Sequence, residues 1–320
     1  VRKEKDKARN NTMTLQQLEY VMAVFRFRHF AKAAEHCNVT QPTLSSMIQK
    51  LEEELGMKIF DRNRQPIMPT PAGKLVVEQA WSVIVRAKKL RDTAEEQKKS
   101  LVGTFNIGVL PTIAPYLVPR FFPKLLDEHP EMDVRITEMK TADIKTALIH
   151  GDIDAGILAR IEGCEDFVCH NLFYEKFMAY VSETDSLLKA KAIRVADLKD
   201  EFLWLLDEGH CFRDQLVKFC QLKSASRSKK AYNLGSIETF MRIVENGKGV
   251  TFIPELATMQ LTESQSRLVK PFAHPIPTRE LVLMTSRHFI RATLRDMIID
   301  CIKQSVPSSM LSLSRTSVQI

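Results

Sequence analysis

An α/β fold preceded by a helical N-terminal domain and a long linker helix is the class this sequence predicts, and three observations predict it. Apolar residues recur at intervals of three and four through the first hundred positions, the signature of packed helices. Beyond Val102, short β-branched runs alternate with stretches of helical spacing, which argues for two α/β lobes built on parallel strands with right-handed crossovers. Charge is also divided: residues 1–99 carry 19 Lys/Arg against 12 Asp/Glu, whereas residues 100–320 carry 27 of each. The whole net charge of +7 therefore lies in the first third of the chain, as expected when one domain binds a polyanion.

At 320 residues and 44% hydrophobic composition the chain can fill two or three domains with real cores. No apolar run approaches the length that crosses a bilayer and the first residues are charged, so a cytoplasmic location is expected. Six scattered cysteines are too few for a disulfide scaffold in a chain of this length.

Residues 1–12 are polar, carry a net +3 and have no packing pattern, and are expected to be a disordered leader. A first helix is predicted from Thr14 to about Arg26 through Leu15, Leu18, Val21, Met22 and Phe25. A second, Phe30 to Cys37, carries small alanines that admit a neighbour. Thr40 as cap and Pro42 near its start launch a third helix that ends at Gly56. One face of it is apolar (Leu44, Ile48, Leu51, Leu55); the other is short and polar, as for a helix that enters a DNA major groove. Phe60–Pro69 is a basic hairpin-like stretch of wing type, with Arg62 and Arg64 placed to meet phosphates or the minor groove. Thr70 and Pro71 open a helix to about Lys99, roughly 42 Å long at 1.5 Å per residue. Its seam of Leu75, Val83, Ile84 and Leu90 is best used in pairing with a second copy.

These linked motifs are specific. Cys-Asn-Val-Thr-Gln-Pro-Thr-Leu-Ser at 37–45, Leu-Glu-Glu-Glu-Leu-Gly at 51–56, Phe-Asp-Arg at 60–62 and Thr-Pro-Ala-Gly at 70–73 resemble the winged helix-turn-helix of LysR-type transcriptional regulators. The resemblance implies a DNA-binding domain over 13–70, a dimerising linker helix over 71–99 and a two-lobed, periplasmic-binding-protein-like regulatory domain over 104–305. It also implies a double-stranded DNA operator and RNA polymerase as partners, and a homodimer or homotetramer. By position, Gln41, Pro42 and Ser45 are expected at base edges and Thr43, Lys50 and Arg62 at the DNA backbone.

In the second part, strands are expected at 104–110, 134–139, 155–158, 174–182, 202–206, 250–253 and 280–285. Helices are expected at 114–128, 141–150, 237–246 and 291–303. The return between lobes is placed near Pro271–Pro277, and the Ser-, Pro- and Thr-rich residues 306–320 are expected to be a disordered tail.

Asp207–Cys220 reads as a turn followed by a short helix with Cys211 in its first turn. There His210, Arg213 and free backbone N–H groups favour thiolate. Cys220 follows nine residues later. On a continuous helix the two sulfurs face opposite ways with Cα atoms about 13 Å apart, whereas a disulfide needs roughly 4.4–6.8 Å. Joining them requires the segment to refold, which makes it a candidate switch.

Gly209-His-Cys-Phe-Arg-Asp-Gln215, Phe219-Cys220 and Leu-Pro-Thr at 110–112 are similar to the sensing segments of the OxyR hydrogen-peroxide regulators, a LysR-type subfamily. That resemblance implies Cys211 as the peroxide-reactive thiol and Cys220 as the resolving one. It implies a pocket of Thr112, Thr141, His210, Arg213, Asp214 and Arg279, and a cellular dithiol as reductant. The sequence offers no phosphate loop and no metal-ligand spacing, so neither cofactor nor metal is expected. Cys164 and Cys169 read as loop thiols, with a second redox pair as the alternative; Cys37 and Cys301 read as packing. Competing functions are a metabolite-responsive LysR-type regulator with an incidental thiol and a thiol peroxidase with an appended DNA module. An enzyme is not expected, because a switch that acts once per signal has no need of turnover.

Overall fold

The computed structural model describes residues 13–161, 164–199, 201–207, 211–220 and 236–320. The expected leader at 1–12 and His210 lie outside the described residues. Chain contacts divide the molecule into two units, Val1–Ala94 and Glu95–Ile320.

The first unit opens with α1 (Leu15–Phe27), whose Thr14 cap and Gln17 form a reciprocal capping box. α2 (Phe30–His36) and α3 (Gln41–Leu55) follow, the latter capped by Thr40 and closed by Gly56 at φ 67°, a conformation that favours glycine. Leu18, Val21, Val24, Ala33, Leu44 and Ile48 bury the facing stripes of these three helices. The wing is a two-stranded antiparallel pair, β1 (Phe60–Asp61) and β2 (Met68–Pro69). Glu52, 2% exposed, ties it to α3: its Oε1 accepts the backbone N–H groups of Ile59 and Phe60 at 2.8 and 3.3 Å.

Thr70 then accepts the Gly73 N–H at 2.9 Å and starts α4 (Pro71–Gln97). Gly73 is required there, because a Cβ would sit 2.0 Å from the Ile59 carbonyl oxygen. Val77 and Ala80 of α4 join the helical core, while Leu75 (65% exposed), Val83 (41%) and Leu90 (75%) do not.

The second unit is built on a nine-stranded sheet, seven of whose strands run in the order β4 (Met132–Glu138), β3 (Gly103–Val109), β5 (Ala155–Ala159), β10 (Ile276–Ser286), β6 (Phe167–Val181), β8 (Val250–Pro254) and β7 (Leu203–Trp204), with two more paired to β10 and β6. β3 (Gly103–Val109), α5 (Ala114–Glu128), β4 (Met132–Glu138), α6 (Thr141–His150) and β5 (Ala155–Ala159) form the first lobe, with β3 parallel to both β4 and β5. β6 (Phe167–Val181) then runs through both lobes. The second lobe adds β7 (Leu203–Trp204), α7 (Cys211–Phe219), α8 (Ile237–Glu245), β8 (Val250–Pro254), the short α9 (Glu263–Ser266) and β9 (Val269–Pro271). The chain returns through β10 (Ile276–Ser286) to α10 (Ala292–Ser305) and β11 (Ser317–Gln319).

Two expectations are corrected. The sheet is mixed, because β6 and β10 carry the chain between lobes in opposite directions and pair antiparallel from Thr278↔Lys176 to Ser286↔Phe167. The chain returns along β10, which begins at Ile276 within the expected stretch, and its pairing with β6 shifts register at Leu281/Val282. Residues 306–320 are not a disordered tail. Met310 is 2% exposed, and β11 pairs parallel with β10 through Ile276↔Ser317, Pro277↔Val318 and Thr278↔Gln319. That edge of β10 lies beyond the end of β5, and its open backbone groups provide the partner that composition alone conceals.

Candidate redox site and DNA-binding face

Four elements converge on Cys211. It opens α7, after β7; Thr112 lies in the turn after β3, Thr141 begins α6 after β4, and Arg279 stands in β10. Carboxyl ends of strands thus meet here, as expected of an open α/β cleft.

Arg279 is 1% exposed and directly opposite Glu175 of β6 in the antiparallel register. Its Nε and Nη2 donate to Glu175 Oε2 at 2.8 and 2.6 Å, and Glu175 Oε1 accepts the Leu256 N–H at 3.1 Å. Burial pushes the Glu175 carboxyl above its ordinary range, while Arg279 pulls it back. The other side of the guanidinium donates to Thr112, Nη1 to Oγ1 at 3.4 Å and Nη2 to the carbonyl at 3.2 Å. Its carbon lies 4.9 Å from the Phe212 ring centre and 5.8 Å from that of Phe177. A desolvated cation is thereby held against the first turn of α7 by one carboxylate, one threonine and two aromatic faces.

Cys211 keeps some exposed surface, but its sulfur is packed deeply enough that burial raises the thiol's pKa. The charge of Arg279, the Thr141 hydroxyl and the Phe212 N–H oppose that rise, and the charge of Asp214 adds to it. Thr141 Oγ1 is buried and has no partner of full hydrogen-bond geometry, although it faces the sulfur closely enough to favour thiolate. A buried hydroxyl in that position is a ready donor or acceptor for a small polar ligand beside the thiol.

The sequence assigned the positive potential to His210 and Arg213. His210 lies outside the described residues, and Arg213 pairs with Asp214, Nη1 to Oδ1 at 3.5 Å. Among the described residues, Arg279 is the cation whose charge favours the Cys211 thiolate; its contact comes from a strand 68 positions away, which local spacing does not reveal.

Cys220 is 4% exposed and burial alone pushes its thiol up to about 12. Its N–H donates to the Leu216 carbonyl at 2.8 Å, so the helical ladder continues through it. Cys211 and Cys220 therefore remain on opposite faces of one helix, about 13 Å apart by helical rise. Both are free thiols, as are the other four cysteines. Cys164 donates to the Ile161 carbonyl at 3.1 Å, and Cys169 is a residue of β6 rather than of a loop. Burial pushes the Cys169 thiol up to about 11. No group of three or more potential metal ligands occurs among the described residues.

Glu175 is the site residue that sequence reasoning missed. A signal was present: β6 buries Phe173, Glu175 and Phe177 on one face, so an acid takes an inward position and demands a partner.

On the first unit, Gln41, Pro42, Thr43 and Lys50 are exposed on α3. Thr43 shares a hydrogen bond with Thr40 at 2.8 Å. Arg62 is fixed from the wing onto α3, donating to Ser45 Oγ at 3.1 Å and Glu52 Oε2 at 3.3 Å and lying 5.2 Å over the Phe30 ring. The expected base-edge residue Ser45 and backbone residue Arg62 are thus one hydrogen-bonded pair.

Family models match segments in both units. Residues 15–74 match the bacterial regulatory helix-turn-helix proteins of the lysR family, and residues 98–305 match the LysR substrate binding domain. This chain belongs to the LysR family. Within it, the chain is 34% identical over 272 residues to the DNA-binding transcriptional dual regulator OxyR of Escherichia coli, a match spanning 85% of this chain and 89% of the relative. It is 32% identical over 303 residues to a hydrogen peroxide-inducible genes activator of Pectobacterium carotovorum, 95% of this chain and 100% of the relative. Among solved structures, a full-length OxyR variant from Pseudomonas aeruginosa is similar with a TM-score of 0.72 and 32% identity, over 91% of this chain and 98% of that one. OxyR from Porphyromonas gingivalis matches with a TM-score of 0.64 and 44% identity, over 68% and 99%. These LysR-type relatives are regulators, and no helix among the described residues is long and apolar enough to cross a membrane.

Proposed function

We propose that this LysR-family chain is a peroxide-sensing, DNA-binding transcriptional regulator of the OxyR type, with Cys211 as the reactive thiol and Cys220 as the resolving one. The observation that carries the reading is the enclosure of Cys211: a thiol beside the buried Arg279–Glu175 pair, with the unpartnered Thr141 hydroxyl turned toward it. A site for a bulky metabolite needs several polar anchors around an open cavity, whereas a peroxide needs little more than one thiolate, one cation and one or two hydroxyls. The names of the peroxide-responsive relatives support the same reading.

In the proposed reaction the Cys211 thiolate attacks one peroxide oxygen and the O–O bond breaks. The second oxygen leaves as hydroxide, takes up a proton and becomes water, while the sulfur becomes sulfenic acid. Thr141 and Thr112 are placed to orient the peroxide, and Arg279 to stabilise the anionic thiolate and the departing oxygen. Asp214 is assigned to positioning a donor or water, and His210 and Arg213 to adding positive potential. The Cys220 sulfur then attacks the Cys211 sulfur and displaces a second water, giving the disulfide. Because a helix holds the two Cα atoms about 13 Å apart, that bond cannot form until α7 unwinds. A cellular dithiol restores the two thiols by exchange.

The signal is read by the first unit, where Gln41, Pro42 and Ser45 are proposed at base edges and Thr43, Lys50 and Arg62 at phosphates of a double-stranded operator. Leu75, Val83 and Leu90 of α4 form an exposed seam proposed to pair with a second copy, giving the homodimer or homotetramer that reads paired half-sites. RNA polymerase is the proposed recipient of the signal, and the cytoplasm its setting. The DNA footprint of the reduced and the peroxide-treated protein tests this reading. Peroxide should change the footprint of the unaltered chain and leave that of Cys211→Ser unchanged; an identical change in the variant would assign the response elsewhere.

A further inference from the structure

The segment that composition marked as a loose tail instead reaches the sensing helix. Three consecutive positions of β11 pair with β10, and the Ile320 N–H donates to the Thr278 carbonyl at 3.0 Å, one residue before Arg279. Gln319 Nε2 donates to Glu280 Oε2 at 2.9 Å, on the other side of Arg279. Glu280 is itself held by Arg160, whose Nε and Nη2 lie 2.6 and 2.9 Å from its two oxygens, and by Asn171 at 3.1 Å. From this anchorage the Ile320 carbonyl accepts a hydrogen bond from Gln215 Nε2 at 2.7 Å. Gln215 is in the middle of α7, four residues from Cys211 and five from Cys220.

We infer that residues 317–320 are a latch that holds α7 helical and so sets the redox balance of Cys211 and Cys220. The inference rests on the proposed disulfide. Among the ties of α7 to the rest of the lobe are Phe212 packed on Arg279 and Gln215 bonded to Ile320. Closing a disulfide from Cys211 to Cys220 collapses every residue between them, Gln215 included, so the Gln215–Ile320 bond exists in the dithiol form and is lost in the disulfide form. An interaction present in one state only biases the equilibrium by its own free energy. The latch therefore favours the dithiol and makes the switch harder to throw by accident. Its strand pairing with β10 adds rigidity at the point where the helix must let go. Gln215 does not touch the sulfur and is a positioning residue, so it should leave the first oxidation step alone.

The test uses two full-chain variants that weaken the latch from opposite ends. Gln215→Glu replaces the donor with a carboxylate facing a carbonyl. Ile320→Pro removes the N–H that bonds Thr278. Each is equilibrated in buffers of graded dithiol-to-disulfide ratio, and the fraction of Cys211–Cys220 disulfide is read by mass spectrometry after alkylation. One hydrogen bond's net worth corresponds to a shift of about 3- to 10-fold in the midpoint ratio toward disulfide, or roughly 15–30 mV more negative for this two-electron couple. A companion measurement on Cys220→Ser follows sulfenic acid formation at Cys211, whose rate should be the same with and without the Gln215 substitution. An unchanged midpoint in both variants, with the unaltered chain forming the disulfide normally, overturns the latch and spares the proposed function. An unaltered chain that forms no such disulfide overturns both. A midpoint shift accompanied by an equal change in the sulfenic acid rate also overturns the latch, since the residue would then act on the thiol.

Discussion

At the scale of single residues, a buried thiol is given a counter-charge by an arginine of β10, a strand far from it in sequence. Cys211 is the proposed nucleophile and Arg279 the source of positive field beside it, but Arg279 is tolerable only because Glu175 answers it across the β6–β10 pair. Glu175→Ala should cost about 3–5 kcal/mol in denaturant unfolding of the second unit, because it strands a buried charge; a loss below 1 kcal/mol would mean that the pair is solvated. Arg279→Met should slow peroxide oxidation of Cys211 by about tenfold or more, the price in rate of roughly 1.4 kcal/mol of lost thiolate stabilisation. The pH dependence follows from the direction of the Cys211 shift. Burial raises its pKa above the ordinary thiol value of 9.0, and Arg279 only partly opposes this. Thiolate is therefore the minority form at neutral pH, and the oxidation rate should still be rising as pH climbs past 7. A plateau beginning near pH 7 would show a depressed pKa instead. The His-Cys-Phe-Arg-Asp run marks the proposed reactive thiol in the sequence alone. It did not mark the cation, since Arg279 and Glu175 are separated from Cys211 by whole elements and meet it only through strand register.

At the scale of elements, α7 is the part that the proposed disulfide must unwind, and the pairs around it are the parts that resist. The capped helices of the first unit were readable because each boundary carries its own chemistry: Thr14 with Gln17, Thr40 with Pro42, Gly56 at the end. α5 and α6 were readable from apolar spacing between Pro, Gly and polar turns. The first half of β6 and the whole of β11 were not. The first half of β6, from Phe167, carries polar residues because it is only half-buried, and β11 is composed of Ser, Val and Gln, whose strand character comes from an open edge of β10 and not from their own preference.

Glu280 gives that edge a pH dependence. Burial works against its ionisation, yet hydrogen bonds from Arg160 and Asn171 hold its carboxyl below the ordinary range. A carboxyl with a depressed folded value contributes stability above its unfolded pKa and loses it as pH falls through the folded one. Docking of residues 317–320 should thus persist at neutral pH and weaken below about pH 4, the ordinary carboxyl range. Amide exchange of Ile320 reports it: protection that is the same at pH 3 and pH 7, after correction for intrinsic exchange, would contradict the assignment.

For the whole molecule, a basic reader and a redox-sensitive second unit share one chain through α4. The charge division between residues 1–99 and 100–320 already told the two apart. DNA affinity should fall steeply with salt, by about 10³-fold or more between 50 and 200 mM if six or more phosphates are contacted; a flat response would remove the wing and α3 from the interface. Leu75→Glu with Leu90→Glu should shift the oligomer toward monomer in sedimentation and weaken operator binding together, since both residues stand exposed on α4. An unchanged oligomer would place the copy-to-copy contact on the second unit. The switch itself is the claim on which the rest depends. Peptide mapping of the reduced protein after one equivalent of peroxide tests it most directly. A Cys211–Cys220 disulfide is expected as the dominant product, with Cys37, Cys164, Cys169 and Cys301 still alkylatable; oxidation confined to any of those four, or a Cys211 that remains a free thiol, would contradict the switch.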